Sequence, residues 1–261
     1  MQEFLSKVVS EICEEENIKC TSLCRGYVLA LEKDGRYAYI SGSHMGNNSY
    51  TAKFLADDKY AMYEVLKNAG VPVIDYELIY ARDDNEIAGK VDKIKEYFRA
   101  NNCHIVLKPN RGFSGRNVYG IEKKEQIEPA FNGLVKEADT IVANPYYNAK
   151  AEHRVIILNG EIRLIFTKNM PGSKWQFKCF DGAKKVESEE LRARLATLAK
   201  RAYDVIGANF VSIDILEMGE DELKILEING TVFTGKYLLQ YPDEYDMIKN
   251  IYRDAIMGMF E

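Results

Sequence analysis

Two acids and an amide recur at strand spacing in NFVSIDILEMGEDELKILEINGTVF, namely Asp214, Glu227 and Asn229. Side chains alternate across a strand, so Ser212 and Asp214 share one face while Val211, Ile213 and Ile215 share the other; Glu227 and Asn229 likewise oppose Leu226 and Ile228. With a four-residue turn over Gly219 to Glu222, Asp214 stands directly across from Glu227, and such partners have Cβ atoms about 4.5–5.5 Å apart. Like charges at that spacing call for a proton or a cation between them. An Asp, a Glu and an Asn without Cys or His form a hard, all-oxygen set, suited to Mg ions that keep water and phosphate oxygens as their other ligands. A solvated outer strand face explains the spacing poorly, because the opposite face is aliphatic and Gly230 ends the hairpin.

A second cluster lies in HIVLKPNRGFSGRNVYGI, where a hydrophobic strand runs through a loop into another strand. Strand-loop-strand excludes the P-loop and the dinucleotide GxGxxG, both of which lead into a helix. Gly112 and Gly115 let backbone N–H groups approach phosphate oxygens, Ser114 can donate, and Lys108, Arg111 and Arg116 add positive charge. Lys59, after Asp57 and Asp58, reads on its own as a helix-start residue. Glu152 and Arg154 lie two apart on a strand and face the same way. The acid can accept from ribose hydroxyls and the guanidinium can clamp a carboxylate or phosphoryl group, although an exposed ion pair is the ordinary reading of that spacing taken alone.

The elements that must position these groups follow from periodicity. Phe4, Leu5, Val8, Val9 and Ile12 mark a first helix, and GYVLALEKDGRYAYIS reads as two strands around Asp34-Gly35. DDKYAMYEVLKNAG is a helix capped by Asp57 or Asp58 and stopped at Gly70, with Pro72 ahead of a strand near Val73 to Ile79. A helix through Ile87, Val91, Ile94 and Phe98, strands HIVLKP, NVYGI and TIVAN, and a helix from about Glu125 to Lys136 make one α+β unit. EHRVIILNGEIRLIFTK, a hairpin at Asn159-Gly160, a helix from Glu187 to Tyr203, the acid-bearing hairpin and a closing helix make a second. No repeat or long linker separates them, so they pack as one body with a cleft between.

At 261 residues, 46% hydrophobic and 29% charged, the chain has an ordinary globular balance. A net charge of -5 without a basic run excludes nucleic acid and membrane surfaces as favoured partners. The amino terminus lacks the pattern of a secretory signal, and no apolar run spans a bilayer. Five cysteines without a CxxC pair read as reduced cytosolic thiols, which points to the cytoplasm. His44, His104 and His153 are assigned no role, and Trp175 and the tyrosines line core and cleft.

In order over roughly Ser49 to Phe233, DDKYAMYEVLKNAGVPV, IVLKPNRGFSGRNVY, TIVANPYYNAKAEHRVIIL and VSIDIL with LKILEING resemble the successive motifs of the ATP-grasp superfamily. The nearest types are glutathione synthetase, cyanophycin synthetase and ribosomal-protein glutamate ligase. The resemblance implies an α+β, ATP-grasp fold. Residues 1–48 form a short lead-in, 49–148 a first subdomain with a glycine-rich lid, and 149–261 a second with the Mg site. It implies an ADP-forming carboxylate-amine ligase that makes an acyl phosphate on an amino acid or peptide, using ATP and two Mg2+ or Mn2+. A kinase or a non-catalytic ATP-binding protein is the alternative.

Carried over by position, the resemblance gives Lys59 and Lys108 to the ATP phosphates and Arg111 to Val118 to the lid over them, with Arg111, Gly112, Ser114 and Gly115 as its cofactor-binding residues. Pro145, Tyr146 and Tyr147, with Asn144 beside them, match the hinge that meets adenine, and Glu152 matches the ribose-binding acid. Arg154 resembles the arginine that faces the reacting carboxylate, and Asp214, Glu227 and Asn229 match the metal ligands. Lys168 and Lys178 both fall where families place a further phosphate-binding cation. Parity through Asn159-Gly160 sets Lys168 opposite the face of Arg154 unless a bulge intervenes, which favours Lys178. D-alanine ligases carry an arginine where Ser212 stands, so recognition of a D-alanine carboxylate is not expected. With about 48 residues ahead of the matching region, part of the acceptor site is expected from a second subunit of a homodimer.

Overall fold

The structure is a computed structural model that describes residues 2–81, 87–112, 115–169, 182–219 and 222–261, with side chains from Phe4 and, after residue 86, from Gly89. It is α+β, as expected. Helix α1 (Gln2–Glu15) buries Leu5, Val8, Val9 and Ile12 on one stripe, the helical spacing read in the sequence. A three-stranded antiparallel sheet follows, β1 (Lys19–Leu23), β2 (Val28–Lys33) and β3 (Arg36–Ser41). The β2–β3 turn holds Asp34 and Gly35 at φ 51 and 77, the positive-φ pair that a two-residue turn of this twist demands. Strand β1, KCTSL, has no apolar alternation and is exposed throughout, so periodicity gave it no signal.

Helices α2 (Tyr50–Asp57) and α3 (Lys59–Asn68) meet at a sharp corner. Ser49 caps α2 by accepting from Ala52 N, and Asp58 caps α3 by accepting from Ala61 N. The run Val73 to Ile79 is not one strand. Its first half bonds in parallel to a single residue of the acid hairpin, Ile225, and the strand proper is β4 (Glu77–Tyr80).

Strand β4 joins β5 (Ile105–Pro109), β6 (Tyr119–Ile121) and β7 (Thr140–Pro145) in an antiparallel sheet of order β4-β7-β5-β6. Helices α4 (Ile87–Ala100) and α5 (Ile127–Leu134) complete its own core around Ile94, Leu107, Phe131 and Ile141. The second sheet has order β10-β9-β8-β11-β12, from β8 (Ala151–Leu158), β9 (Glu161–Asn169), β10 (Gly182–Lys185), β11 (Phe210–Glu217) and β12 (Leu223–Asn229).

Both faces of this second sheet are covered. Val155, Ile157, Val211, Ile213 and Ile215 pack against α6 (Glu189–Ile206), α3 and the chain as far as Tyr76. Ile156, Leu158 and Phe210 on the other face share a core with α1, the amino-terminal sheet and α8 (Tyr245–Met257), which follows the short α7 (Gly235–Gln240). Along that same face the apolar side chains give way to Glu152, Arg154, Ser212 and Asp214. Among the described residues no helix is long and apolar enough to cross a membrane.

Candidate active site

Strand pairing sets the floor of the site. Strand β11 lies between β8 and β12, and Asp214 is directly opposite Arg154 on one side and Glu227 on the other. The Asp214–Glu227 pairing is therefore as expected, but the route to it differs. Glu217 pairs with Leu223, so residues 218–222 make a five-residue connection and not the four-residue turn of Gly219 to Glu222. That connection alone would set Leu226 across from Asp214. A bulge beside Asp214 takes up Leu226 as an extra residue and returns Glu227 to the facing position.

Asp214 is wholly buried, and both of its oxygens are engaged. The Arg154 fork donates through Nε to Oδ1 and through Nη2 to Oδ2, each at 2.8 Å. Lys168 Nζ lies 2.6 Å from Asp214 Oδ2 and also bonds the Glu152 carboxylate. Asn229 directs Nδ2 at Asp214 Oδ2 and Glu227 Oε1, at 3.5 and 3.4 Å. Glu152 and Arg154 are thus not an exposed surface pair.

Lys168 arrives by a second bulge, between Ile156 and Ile157 in the β8–β9 ladder, which pairs Arg154 with Phe166 and His153 with Thr167. The bulge reverses the simple hairpin parity and puts Lys168 on the face of Glu152, which removes the parity ground for favouring Lys178. Lys178 and Ser114 lie outside the described residues.

The glycine-rich segment docks on the α2–α3 corner. Lys59 Nζ donates to Gly112 O at 3.1 Å and stands 3.7 Å from Glu227 Oε2, so it bridges loop and hairpin. Arg111 Nε donates to Asp58 Oδ2 at 3.1 Å, with its guanidinium 4.0 Å from the Phe54 ring centre. Gly115 takes φ 64, a left-handed conformation in which glycine is strain-free. Asn110, buried and missed by sequence reasoning, caps the corner by accepting from Tyr60 N at 2.9 Å.

Lys108, on β5, is buried, and its hydrogen-bond partner among the described residues is a neutral hydroxyl, Tyr76 OH at 3.1 Å. At the hinge, Tyr146 N donates to His104 O and so belongs to the β5 side. Asn144 Nδ2 donates to Pro145 O at 2.7 Å, while its buried Oδ1 has no partner among the described residues. Tyr147 OH donates to Asp75 Oδ2 at 3.3 Å, tying the two crossings between the sheets. At the far end of the acid hairpin Asp57 Oδ1 accepts from Gly230 N at 3.1 Å, and Thr231 Oγ1 lies 2.5 Å from His44 Nδ1.

Electrostatics follow from this packing. Burial, reinforced by the neighbouring Lys59, pulls the Lys108 pKa down to about 8. Burial works against the Asp214 carboxylate, yet Arg154 and Lys168 outweigh it and hold the group well below the usual range. Burial raises the Glu152 carboxyl, with Lys168 opposing. The arrangement gathers buried cations around an oxygen-only acid set, with lysines on both sheets.

The glutamate–LysW ligase ArgX of Sulfolobus acidocaldarius is 27% identical over 197 residues, covering 72% of this chain and 65% of that protein. A D-alanine–D-alanine ligase of Bacteroides fragilis is 22% identical over 187 residues, covering 67% and 55%. The chain thus spans less than two thirds of the length of these two relatives. The structure of D-alanyl-alanine synthetase A from Vibrio cholerae superposes with a TM-score of 0.72 at 13% identity, over 97% of this chain and 92% of that one, a likeness of fold. The model of the RimK-like ATP-grasp domain matches residues 56–241, more than half of the chain, and the protein belongs to that family.

Proposed function

We propose that the chain is an ADP-forming carboxylate-amine ligase, activating an amino-acid or peptide carboxylate as its acyl phosphate. The observation that carries this is Lys108: a buried ammonium without a carboxylate bonded to it among the described residues, close enough to Glu227 and Glu152 to feel their charge. A cation left with a neutral partner is arranged for an anion from outside. Lys59 beside Gly112 extends the same patch to the glycine-rich loop. The named activities of the glutamate–LysW and D-alanine–D-alanine ligases support an amino-acid or peptide substrate for this chain as well.

The residues present fit both partners. The orphaned Oδ1 of Asn144 can accept from the amino group of adenine, and Glu152 can accept from ribose hydroxyls once Lys168 turns away. Asp214 and Glu227 would hold Mg, with the Asn229 amide turning its oxygen inward; Lys168 and Arg154 supply the positive charge there in this structure. Bound Mg would neutralise charge on the phosphates.

The substrate carboxylate oxygen attacks the γ-phosphorus of ATP, forming the new O–P bond as the bond to the β-phosphate oxygen breaks and ADP leaves. Lys59, Lys108 and Lys168 stabilise the charge spread over the transferring group. Arg154, held by Asp214, orients the carboxylate, and the glycine-rich lid read in the sequence over Arg111 to Val118 would exclude water from the acyl phosphate. An amine then attacks the carbonyl carbon, losing a proton as phosphate departs.

The test is incubation with Mg-ATP, a panel of amino acids and peptides, and hydroxylamine. Hydroxamate and ADP in equal amounts support the ligase. ADP release with alcohols only, or AMP in place of ADP, refutes it.

A further inference from the structure

Tyr76 has no part in the site as expected from sequence, yet it touches both halves of it. It is 3% exposed and sits where the chain leaves the core beneath the five-stranded sheet and enters β4 of the four-stranded one. Its hydroxyl donates to Leu226 O at 2.8 Å and accepts from Lys108 Nζ at 3.1 Å, and the same ammonium lies 5.0 Å from its ring centre.

The identity of Leu226 makes this informative. It is the residue taken up by the β12 bulge, and a bulged residue drops out of the regular ladder, so its carbonyl can accept from a side chain. Glu227 is the next residue. A hydroxyl can accept from an ammonium only with its own proton directed elsewhere, and the Leu226 carbonyl fixes that proton. Tyr76 is itself clamped: Ile225 N donates to Pro72 O at 2.9 Å, Ile74 N donates to Ile225 O at 3.0 Å, and Tyr63 packs edge-on at 6.1 Å between ring centres.

We infer that Tyr76 is a positioning residue, whose hydroxyl aims the Lys108 ammonium at the nucleotide phosphates and sets it in register with the bulge that presents Glu227. The inference rests on the reading of Lys108 as a phosphate ligand. Tyr76 spans the two sheets, so it fixes the separation between a cation on β5 and a carboxylate on β12. A phenylalanine would keep the ring and its packing while releasing both hydrogen bonds.

ATP and adenosine affinities, measured by competition against a fluorescent ADP analogue, separate the possibilities. Tyr76→Phe should weaken ATP about tenfold, the scale of one lost hydrogen bond to a charged group, and lower the melting temperature by a few degrees as Leu226 O and Lys108 Nζ lose their buried partner, while adenosine affinity stays unchanged. Adding Tyr76→Phe to Lys108→Met should weaken ATP no further than Lys108→Met alone. Unchanged ATP affinity, an equal loss for ATP and adenosine, or additive losses in the double variant each overturn the positioning role. Failure of the unmodified protein to bind ATP refutes the nucleotide reading itself, and the inference falls with it.

Discussion

Lys168 and Asp214 are 46 residues apart in the chain and 2.6 Å apart in the fold, with Glu152 on the same ammonium. The acid proposed for ribose and the acid proposed for metal thus share a counterion. Arg154 holds Asp214 from the neighbouring strand. On the proposed function, binding of nucleotide and metal is therefore an exchange of partners within this cluster of paired charges.

The shared counterion gives Lys168 a part in stability beside the phosphate-binding part proposed for it. Lys168→Met leaves two buried acids with one cation fewer, and breaking a buried pair from one side costs about 3–5 kcal/mol. Urea unfolding should show a loss of that order, with Glu152→Gln in the same background restoring part of it. An unchanged midpoint would show that the ammonium contributes nothing to the folded state.

Glu227 is part-buried and faces Asp214 across the bulged ladder. Glu227→Gln keeps the shape and removes one of two facing like charges, so the melting temperature should hold or rise. ADP release should fall by about two orders of magnitude if the residue helps hold Mg. Normal turnover in that variant would remove it from the metal site.

Lys108 gives a pH signature. Its free pKa is near 8 and an anionic ligand favours the ammonium form, so binding raises that pKa. ATP affinity should be level below about pH 8 and fall as pH rises through it, with proton uptake on binding above that point. Calorimetry in buffers of different ionisation enthalpy reads the uptake directly. Lys108→Arg should abolish the step, because an arginine does not titrate in this range.

Arg111 is half exposed, and its pair with Asp58 is worth no more than about 1 kcal/mol. Arg111→Ala should leave thermal stability nearly unchanged while raising the KM for ATP several-fold, because the start of the glycine-rich loop loses its anchor on Asp58 and Phe54. Steady-state kinetics with a melting curve would distinguish this from a loss of fold.

Much of this was legible because strand parity and turn chemistry are local. Asp34-Gly35 and Asn159-Gly160 announce their hairpins, and the facing of Asp214 and Glu227 follows from an aliphatic alternate face. What stayed hidden were the register corrections. Parity counting assumes an unbroken ladder, and two bulges break it, one preserving the expected acid pair and the other moving Lys168 onto the site. Tyr76 and Asn110 act through contacts with residues far along the chain, so their surroundings give no periodic signal. Strand β1 and helix α2 carry patterns too polar or too short to read.

Transfer of the γ-phosphoryl group to a carboxylate oxygen leaves a trace that 18O reads. The carboxylate that supports hydroxamate formation is labelled in both oxygens and turned over with Mg-ATP and its amine, and the released phosphate is examined by 31P NMR. Each phosphate formed should carry one 18O atom, brought over as the acyl phosphate collapses. Phosphate free of label while the amide forms would contradict that transfer.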